Sequence, residues 1–256
     1  MNPLHKVFSI LETVVASQSE GATYSDIIKA SNLPKSTVHR LLKDLTQLDY
    51  LTHDYGTKRY FGSLKLAALG AEVMAHFSLS THVHPYLIKL HLETGHTTNL
   101  GIRNGTVGVF ADKIQSKDFG IKLFSEIGKA FPLHCTGLGK ILLAFSPEDI
   151  LTTLLSQPLE GYTDRTLTDP QLLQTELSLI RERGYALDNE EITKGIMCVS
   201  APVFGFNQEL QGAISIAFLA AIENERSIDK EISAIRKYAA LISESLSSMG
   251  IERQVI

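Results

Sequence analysis

Four sets of residues have the chemistry to do something, and each also has an ordinary structural explanation. The first is PKSTVHRLLK, residues 34–43, with Lys35, Ser36, Thr37, His39, Arg40 and Lys43 close together. An arginine can hold a guanine edge with two hydrogen bonds, serine and threonine read bases permissively or hold phosphate, and lysine supplies a point charge. The ordinary explanation is a helix whose polar face meets water. The second set is TGLGK, residues 136–140. Thr136, Gly137, Leu138 and Gly139 at a helix start would leave backbone N–H groups open to a carboxylate or phosphate. Equally, the glycines can serve close packing alone. This is not a Walker-type phosphate loop, which needs glycine where His134 stands and a hydroxyl where Ile141 stands. The third set is Asp188, Glu190 and Glu191. Three carboxylates in four residues suit metal binding or proton transfer, but no histidine-rich partner set flanks them, and solvated surface charge is the favoured reading. The fourth set is the histidines and cysteines. His82 and His84 are two apart, which on a helix turns them to different sides. With His91, His96, His134 and Cys135, a soft-metal site would have to assemble in three dimensions. No metal or other cofactor is expected. No Gly-x-Ser-x-Gly elbow and no cysteine–histidine catalytic signature occurs, so no catalytic residues are assigned.

The elements that must position these residues follow from periodicity. Leu4, Val7, Phe8, Leu11 and Val14 repeat at helical spacing over 4–16, and Ser19-Glu20-Gly21 breaks that helix. Thr23 stands three before Asp26, which suits a helix start and a carboxylate near its positive end. A short helix, 24–30, ends at Ser31-Asn32. Pro34 then opens a helix over 35–48 with Val38, Leu41, Leu42, Leu45 and Leu48 on one stripe. Residues 50–61 read as two β-prone runs around Asp54-Tyr55-Gly56-Thr57, a hairpin with Gly56 in the turn. Two helices joined by a tight turn and followed by a hairpin make a winged helix-turn-helix. In that arrangement the second helix enters the major groove, and Lys43, Lys58 and Arg59 stand where backbone phosphates would be met.

Helical period returns at 64–77, and a second helix over about 79–94 ends at Gly95. Strands are expected at 97–103 and 106–114 around Asn104-Gly105, and at 120–125, 185–189, 197–203 and 211–219. Helices are expected from Thr136 through Phe145, from Asp169-Pro170 to Arg183 with Gly184 closing, and over roughly 227–248. The fold class is α+β, with a mainly antiparallel sheet flanked by helices in the C-terminal part. The expected divisions are a DNA-binding domain at 1–62, a linker helix at 63–78 and a larger domain at 79–256.

Bulk properties narrow the class without deciding it. The 256 residues are 44% apolar and 20% charged, as in a soluble globular protein. No apolar run reaches about 18 residues, and the Lys6- and Glu12-bearing N-terminus is unlike a signal peptide, so a cytoplasmic location and no membrane partner are expected. Two cysteines, Cys135 and Cys198, indicate no disulfide framework. The net charge of −4 says nothing for nucleic acid. Residues 1–62 hold seven Lys/Arg against six Asp/Glu, so DNA binding would rest on local placement.

Three blocks carry a resemblance. SNLPKSTVHRLLKDLTQLDYL (31–51) resembles the helix-turn-helix of the IclR family of bacterial transcriptional regulators. FPLHCTGLGKILLAF (131–145) and RGYALDNEEITKGIMCVSAPVF (183–204) resemble that family's two C-terminal signatures, in the right order. The resemblance implies a GAF-like effector-binding domain, a homodimer or dimer of dimers, and binding of double-stranded operator DNA modulated by a small-molecule effector. It places Asp188, Cys198 and Ser215 in the ligand cavity, with Leu123, Phe131 and Leu138 as apolar walls. Departures are Cys135 and Ser200, where alanine is common; Cys135 would lie beside the cavity. The expectation is a regulator, more often a repressor, answering to an acidic metabolite such as a sugar acid or keto acid. Two alternatives stay open: a small-metabolite enzyme with an N-terminal assembly module, and a cysteine redox-responsive regulator.

Overall fold

The computed structural model describes residues 2–75, 78–116, 125–220 and 228–248. Contacts divide the chain into two units, 1–77 and 78–256. The first contains α1 (Pro3–Ala16), β1 (Ala22–Thr23), α2 (Tyr24–Ser31), α3 (Lys35–Gln47), β2 (Leu51–Asp54), β3 (Arg59–Gly62) and α4 (Leu64–Ala75). Local chemistry sets the boundaries. Asn2 caps α1 by accepting the Leu4 N–H, and Pro3 occupies its first turn. Thr23 and Asp26 form a reciprocal capping box on α2, which ends at Asn32 in the left-handed region, φ 52°. Helix α3 has no side-chain cap. It is held instead by Val38, Leu41, Leu42 and Leu45, buried with Ile10 and Val14 of α1, Ile27 of α2 and Leu51 of β2. At about 2 kcal/mol for each buried aliphatic side chain, that packing outweighs a missing cap worth about 1 kcal/mol.

The wing is a three-stranded antiparallel sheet in the order β1-β3-β2. Strand β1 has only two residues, too short for any periodicity to mark. In the β2–β3 turn the left-handed residue is Lys58, φ 56°, rather than Gly56.

The second unit is built on a six-stranded antiparallel sheet ordered β6-β5-β4-β9-β8-β7. These are β4 (Thr97–Asn104), β5 (Val107–Ile114), β6 (Ala130–Pro132), β7 (Ala186–Asn189), β8 (Ile196–Phe204) and β9 (Leu210–Leu219). Helix α6 (Gly137–Ala144) packs on one face, with α8 (Pro170–Arg183) behind it; α5 (Ser78–Thr94) and α9 (Asp229–Ser248) pack on the other. Because both faces are covered, β9 is buried almost throughout, Gly212 to Phe218. Asp169 caps α8 on the Gln171 and Leu172 N–H groups, and Gly184 closes it at φ 76°. Helix α7 (Glu148–Leu155) and strand β6 were not visible in the pattern; each is short, and α7 buries no residue fully. Of the strand expected at 120–125, residues 120–124 lie outside the described residues, as does residue 227 of the last helix.

Replacing Thr23 with alanine removes one arm of the capping box and should cost about 1 kcal/mol. Urea denaturation of the full chain, followed by a probe in the first unit, should show an earlier transition for that unit alone.

Candidate DNA face and effector pocket

Lys35, Ser36, His39, Arg40 and Lys43 are exposed on α3, and Thr37 is half-buried. The helix start is fixed from α2, because the Tyr24 hydroxyl donates to the Lys35 carbonyl at 2.7 Å. Arg40, 68% exposed, donates to Asp44 at 3.3 Å. A surface pair one turn apart is worth only about 0.3–0.5 kcal/mol, so the guanidinium is easily redirected to another acceptor. Lys58 is exposed at the wing turn. Arg59 is different: its Nη1 donates to the carbonyls of Glu20 and Gly21, at 3.2 and 2.7 Å. Through that nitrogen Arg59 acts as a strut that ties β3 to the turn between α1 and β1. Tyr55, 83% exposed at the wing tip, is an additional DNA-facing candidate that the sequence reading passed over as a turn residue.

In the second unit the pairing register decides which side chains share a face. Asp188 of β7 stands opposite Cys198 of β8, and Cys198 opposite Ala217 of β9. One row over, Ser200 stands opposite Ser215, and Ser215 opposite Asn99 of β4. Side chains in these rows point to the α6 side of the sheet. There all but Ser200, which lies against Gly137, line a cavity with about 480 Å³ of space between atoms, open solvent at its mouth included. Thr136, Gly137, Leu138, Asp188, Cys198 and Ser215 all line it.

Two expected pocket residues fall elsewhere, and a third cannot be placed among the described residues. Leu123 lies outside the described residues. Phe131 is buried beneath the cavity wall, its ring over Gly101 and Gly108, where any Cβ would overlap it; Phe110, 4.6 Å away between ring centroids, lines the cavity instead. Gly139 faces away, against the Pro132 carbonyl and Leu133, so its small size serves packing. The sequence reading missed Asn99, Phe110, Ser125, Ala217 and the run Ile192, Thr193 and Ile196. Only Asn99 carried a signal, a polar amide inside the run TTNLGI.

The first turn of α6 opens on this cavity. The Thr136 hydroxyl donates to the Pro132 carbonyl and accepts the Gly139 N–H at 3.0 Å. The N–H groups of Gly137 and Leu138 belong to the same turn, which supplies no intrahelical acceptor. Glu191 corrects the surface-charge reading: it is buried, and Lys140 of α6, itself 2% exposed, donates to it at 2.5 Å. Lys140 also lies 3.9 Å from Glu176 of α8, which Arg183 holds at 2.6 Å. Glu190 pairs with Arg165 at 2.6 Å.

Asp188 sits beside this chain of charges. Its Oδ1 accepts the Glu191 N–H at 2.8 Å, while its buried Oδ2 has no partner in the protein. Burial pushes its carboxyl up to about 7; the Glu191 N–H bond opposes that, the Glu191 charge adds to it, and Lys140 and the Ile192 N–H oppose it. Burial also raises the thiols of Cys135 and Cys198 far above their ordinary range, with the Asp188 charge adding to the effect. Neither is a ready thiolate, which disfavours a redox trigger. Cys135 is buried beside the site rather than among its lining residues. The histidines are engaged separately: His84 with Asp112 at 2.7 Å, His82 with Ser245 at 3.0 Å, and His91 and His134 donating to the carbonyls of His96 and Glu160. Among the described residues no three His, Cys, Asp or Glu converge as a metal site.

Residues 3–54 match the model of the IclR helix-turn-helix domain, and residues 71–244 match that of the bacterial transcriptional regulator IclR C-terminal domain. The chain belongs to the IclR family of bacterial transcriptional regulators. Among IclR-family relatives, the HTH-type transcriptional regulator XynR of Escherichia coli is 35% identical over 218 residues, covering 83% of each chain. The crystal structure of the Thermotoga maritima IclR is 32% identical with a TM-score of 0.73, covering 98% of this chain and 100% of that one. An IclR homolog from Microbacterium hydrocarbonoxydans, crystallised with 4-hydroxybenzoate, shares the fold at a TM-score of 0.81 and 20% identity, covering 96% and 99%. The α+β architecture, with a helix-turn-helix followed by an antiparallel effector-binding domain, is the one this family uses, and the family is one of regulators rather than enzymes.

Replacing Lys140 with methionine strands Glu191 in the interior, and breaking a buried pair from one side costs about 3–5 kcal/mol. The double variant Lys140→Met/Glu191→Leu should recover most of that loss. Denaturant melts of the two single variants and the double variant test the coupling.

Proposed function

We propose that this IclR-family chain is a sequence-specific repressor whose hold on its operator is modulated by a small acidic metabolite, a sugar acid or keto acid, bound in the C-terminal cavity. The observation that carries the reading is the exposed row Lys35, Ser36, His39 and Arg40 at the N-terminal half of α3, the part of such a helix that reaches base edges. In this reading Arg40 leaves Asp44 to hold a guanine, Ser36, Thr37 and His39 reach neighbouring bases or phosphates, and Lys35, Lys43 and Lys58 contact phosphate. Arg59 holds the wing in place. The chain acts in the cytoplasm as a homodimer or dimer of dimers, presenting two recognition helices to major grooves one or more turns apart. Exposed Leu69 and Val73, one turn apart on α4, supply an apolar patch for subunit contact. The repressor sense is supported by relatives such as AllR of Escherichia coli, named a transcriptional repressor and 29% identical over 226 residues.

In the cavity, the N–H groups of Gly137 and Leu138 receive the effector's acidic end. Asp188 and Ser215 meet its oxygens, with Cys198 and Phe110 as walls. The 4-hydroxybenzoate in the Microbacterium homolog supports an organic acid as the ligand class.

Fluorescence anisotropy on the upstream DNA, over a range of salt concentrations, tests the first half. Arg40→Ala should weaken specific binding roughly tenfold to a hundredfold and relax selectivity, whereas Lys58→Ala should lower the salt slope by about one. Unchanged specific affinity for Arg40→Ala would remove the assignment. Sugar acids and keto acids screened for release of the DNA test the second half. Asp188→Ala and the cavity-filling Cys198→Phe should bind DNA normally and respond weakly.

A further inference from the structure

The charges around Asp188 do not balance at the cavity. From β8 the group facing it is the neutral thiol of Cys198. From α6 it is Lys140, but that ammonium is spent on Glu191, and Glu176 beyond it is held by Arg183. Cys135 precedes α6, and Asn99 and Ser215 reach in from β4 and β9 without charge. On β5, Lys113 is the register partner of Asn99, and its ammonium sits on the Ser125 carbonyl at 2.5 Å. Glu190 is taken by Arg165. Among the described residues, Asp188 thus has no cation of its own.

The α6 N-terminus is immediately beside it: a Cβ on Gly137 would stand 3.6 Å from the Asp188 backbone nitrogen. An anion on the Gly137 and Leu138 N–H groups would therefore share a site with a second, buried carboxylate, and two such groups cannot both stay ionised cheaply. We propose that an anionic effector enters this pocket together with one proton from solvent, which Asp188 carries on Oδ2 and donates to the effector as a hydrogen bond. This rests on the reading of the cavity as the effector site. Oδ1 already accepts the Glu191 N–H, so Oδ2, buried and unpartnered, is the atom that takes the proton. In the ligand-free protein the carboxyl already titrates at about 7, so the proton is at hand near neutrality. Below that pH the proton is in place before the effector arrives. Above it the competent form becomes scarce, and affinity falls about tenfold for each further pH unit.

Isothermal titration calorimetry of the full chain with benzoate, lactate and pyruvate, and with benzamide, lactamide and pyruvamide, is the test. Each is titrated at pH 6 and pH 8.5, in buffers of different ionisation heat. At least one carboxylate should bind. Its complex should take up close to one proton at pH 8.5 and almost none at pH 6, and its affinity should fall about thirtyfold between the two. The amides should take up no proton. Asp188→Asn keeps a donor at the same place, so it should bind the carboxylate with no uptake and little pH dependence. Zero uptake at pH 8.5, uptake that persists in Asp188→Asn, or failure of all three carboxylates to bind at pH 6 overturns the proposal. Carboxylate binding undiminished in both Cys198→Phe and Ala217→Leu would sink the effector-site reading and the proposal with it, whereas zero uptake removes the proposal alone.

Discussion

Helix α6 lies against the sheet so closely that side-chain size is fixed on both sides of the contact. At Gly137 a Cβ would come 2.5 Å from the Ser200 hydroxyl, and at Gly139 one would come 2.5 Å from the Pro132 carbonyl. That approach brings the first turn of the helix onto the floor of the cavity. It also drives Lys140, one residue further on, into the interior, where a lysine is tolerated only with a partner. Glu191 is that partner, so the ion pair follows from the helix position. It then holds the segment after β7, and through the Glu191 N–H it fixes one oxygen of Asp188. The cavity's most strongly perturbed acid is therefore positioned by the same contact that forms its floor.

Much of this was legible where the chemistry is local. The Thr23–Asp26 box, Asp169 with Pro170, Gly184 and the α3 stripe each depend on residues within a turn or two of one another. The fold class followed from alternating strands and helices, and the family from three motif blocks. What stayed hidden is long-range. No spacing shows that Glu191 meets Lys140 across 51 residues, or that Arg59 reaches Gly21, in the turn before β1, across 38. Phe131 and Phe110 are both aromatic residues on neighbouring strands. Which one sees the cavity depends on the two glycines beneath Phe131, and only the sheet register brings them together. Acidic residues in a turn are mostly solvated, so Glu191 was placed on the surface by a rule that holds elsewhere.

The two units differ in what holds their working surfaces. In the first, aliphatic packing fixes α3 from behind and leaves its polar face uncommitted. The ion pair there, Arg40 with Asp44, is weak enough to be exchanged for a base or phosphate. In the second, the working surface is turned inward, and polar atoms without partners remain there at a cost. Asn99 Oδ1, Ser125 Oγ, Ser200 Oγ and Asp188 Oδ2 are all buried without a partner in the protein. Three of those four residues line the cavity. A ligand or ordered water that satisfied them would recover free energy the fold itself leaves unclaimed.

Among the described residues lining that cavity, those able to change charge are Asp188 and Cys198. Burial moves both upward, but with opposite consequences. The thiol starts high and is carried far beyond neutrality, so it stays neutral and serves as a small polarizable wall. The carboxyl starts near 3.8 and is carried to about 7, into the range where a cell's interior can titrate it. In the free protein its proton is held more tightly than in the unfolded chain. The stability that protonated Asp188 contributes is thus present below about 4 and is lost as pH rises through about 7. A group that destabilises the empty site when ionised gains most from a ligand that lets it remain protonated or bonds its free oxygen. The strain of the empty pocket therefore traces to the burial of Asp188, which among the described residues has no cation of its own.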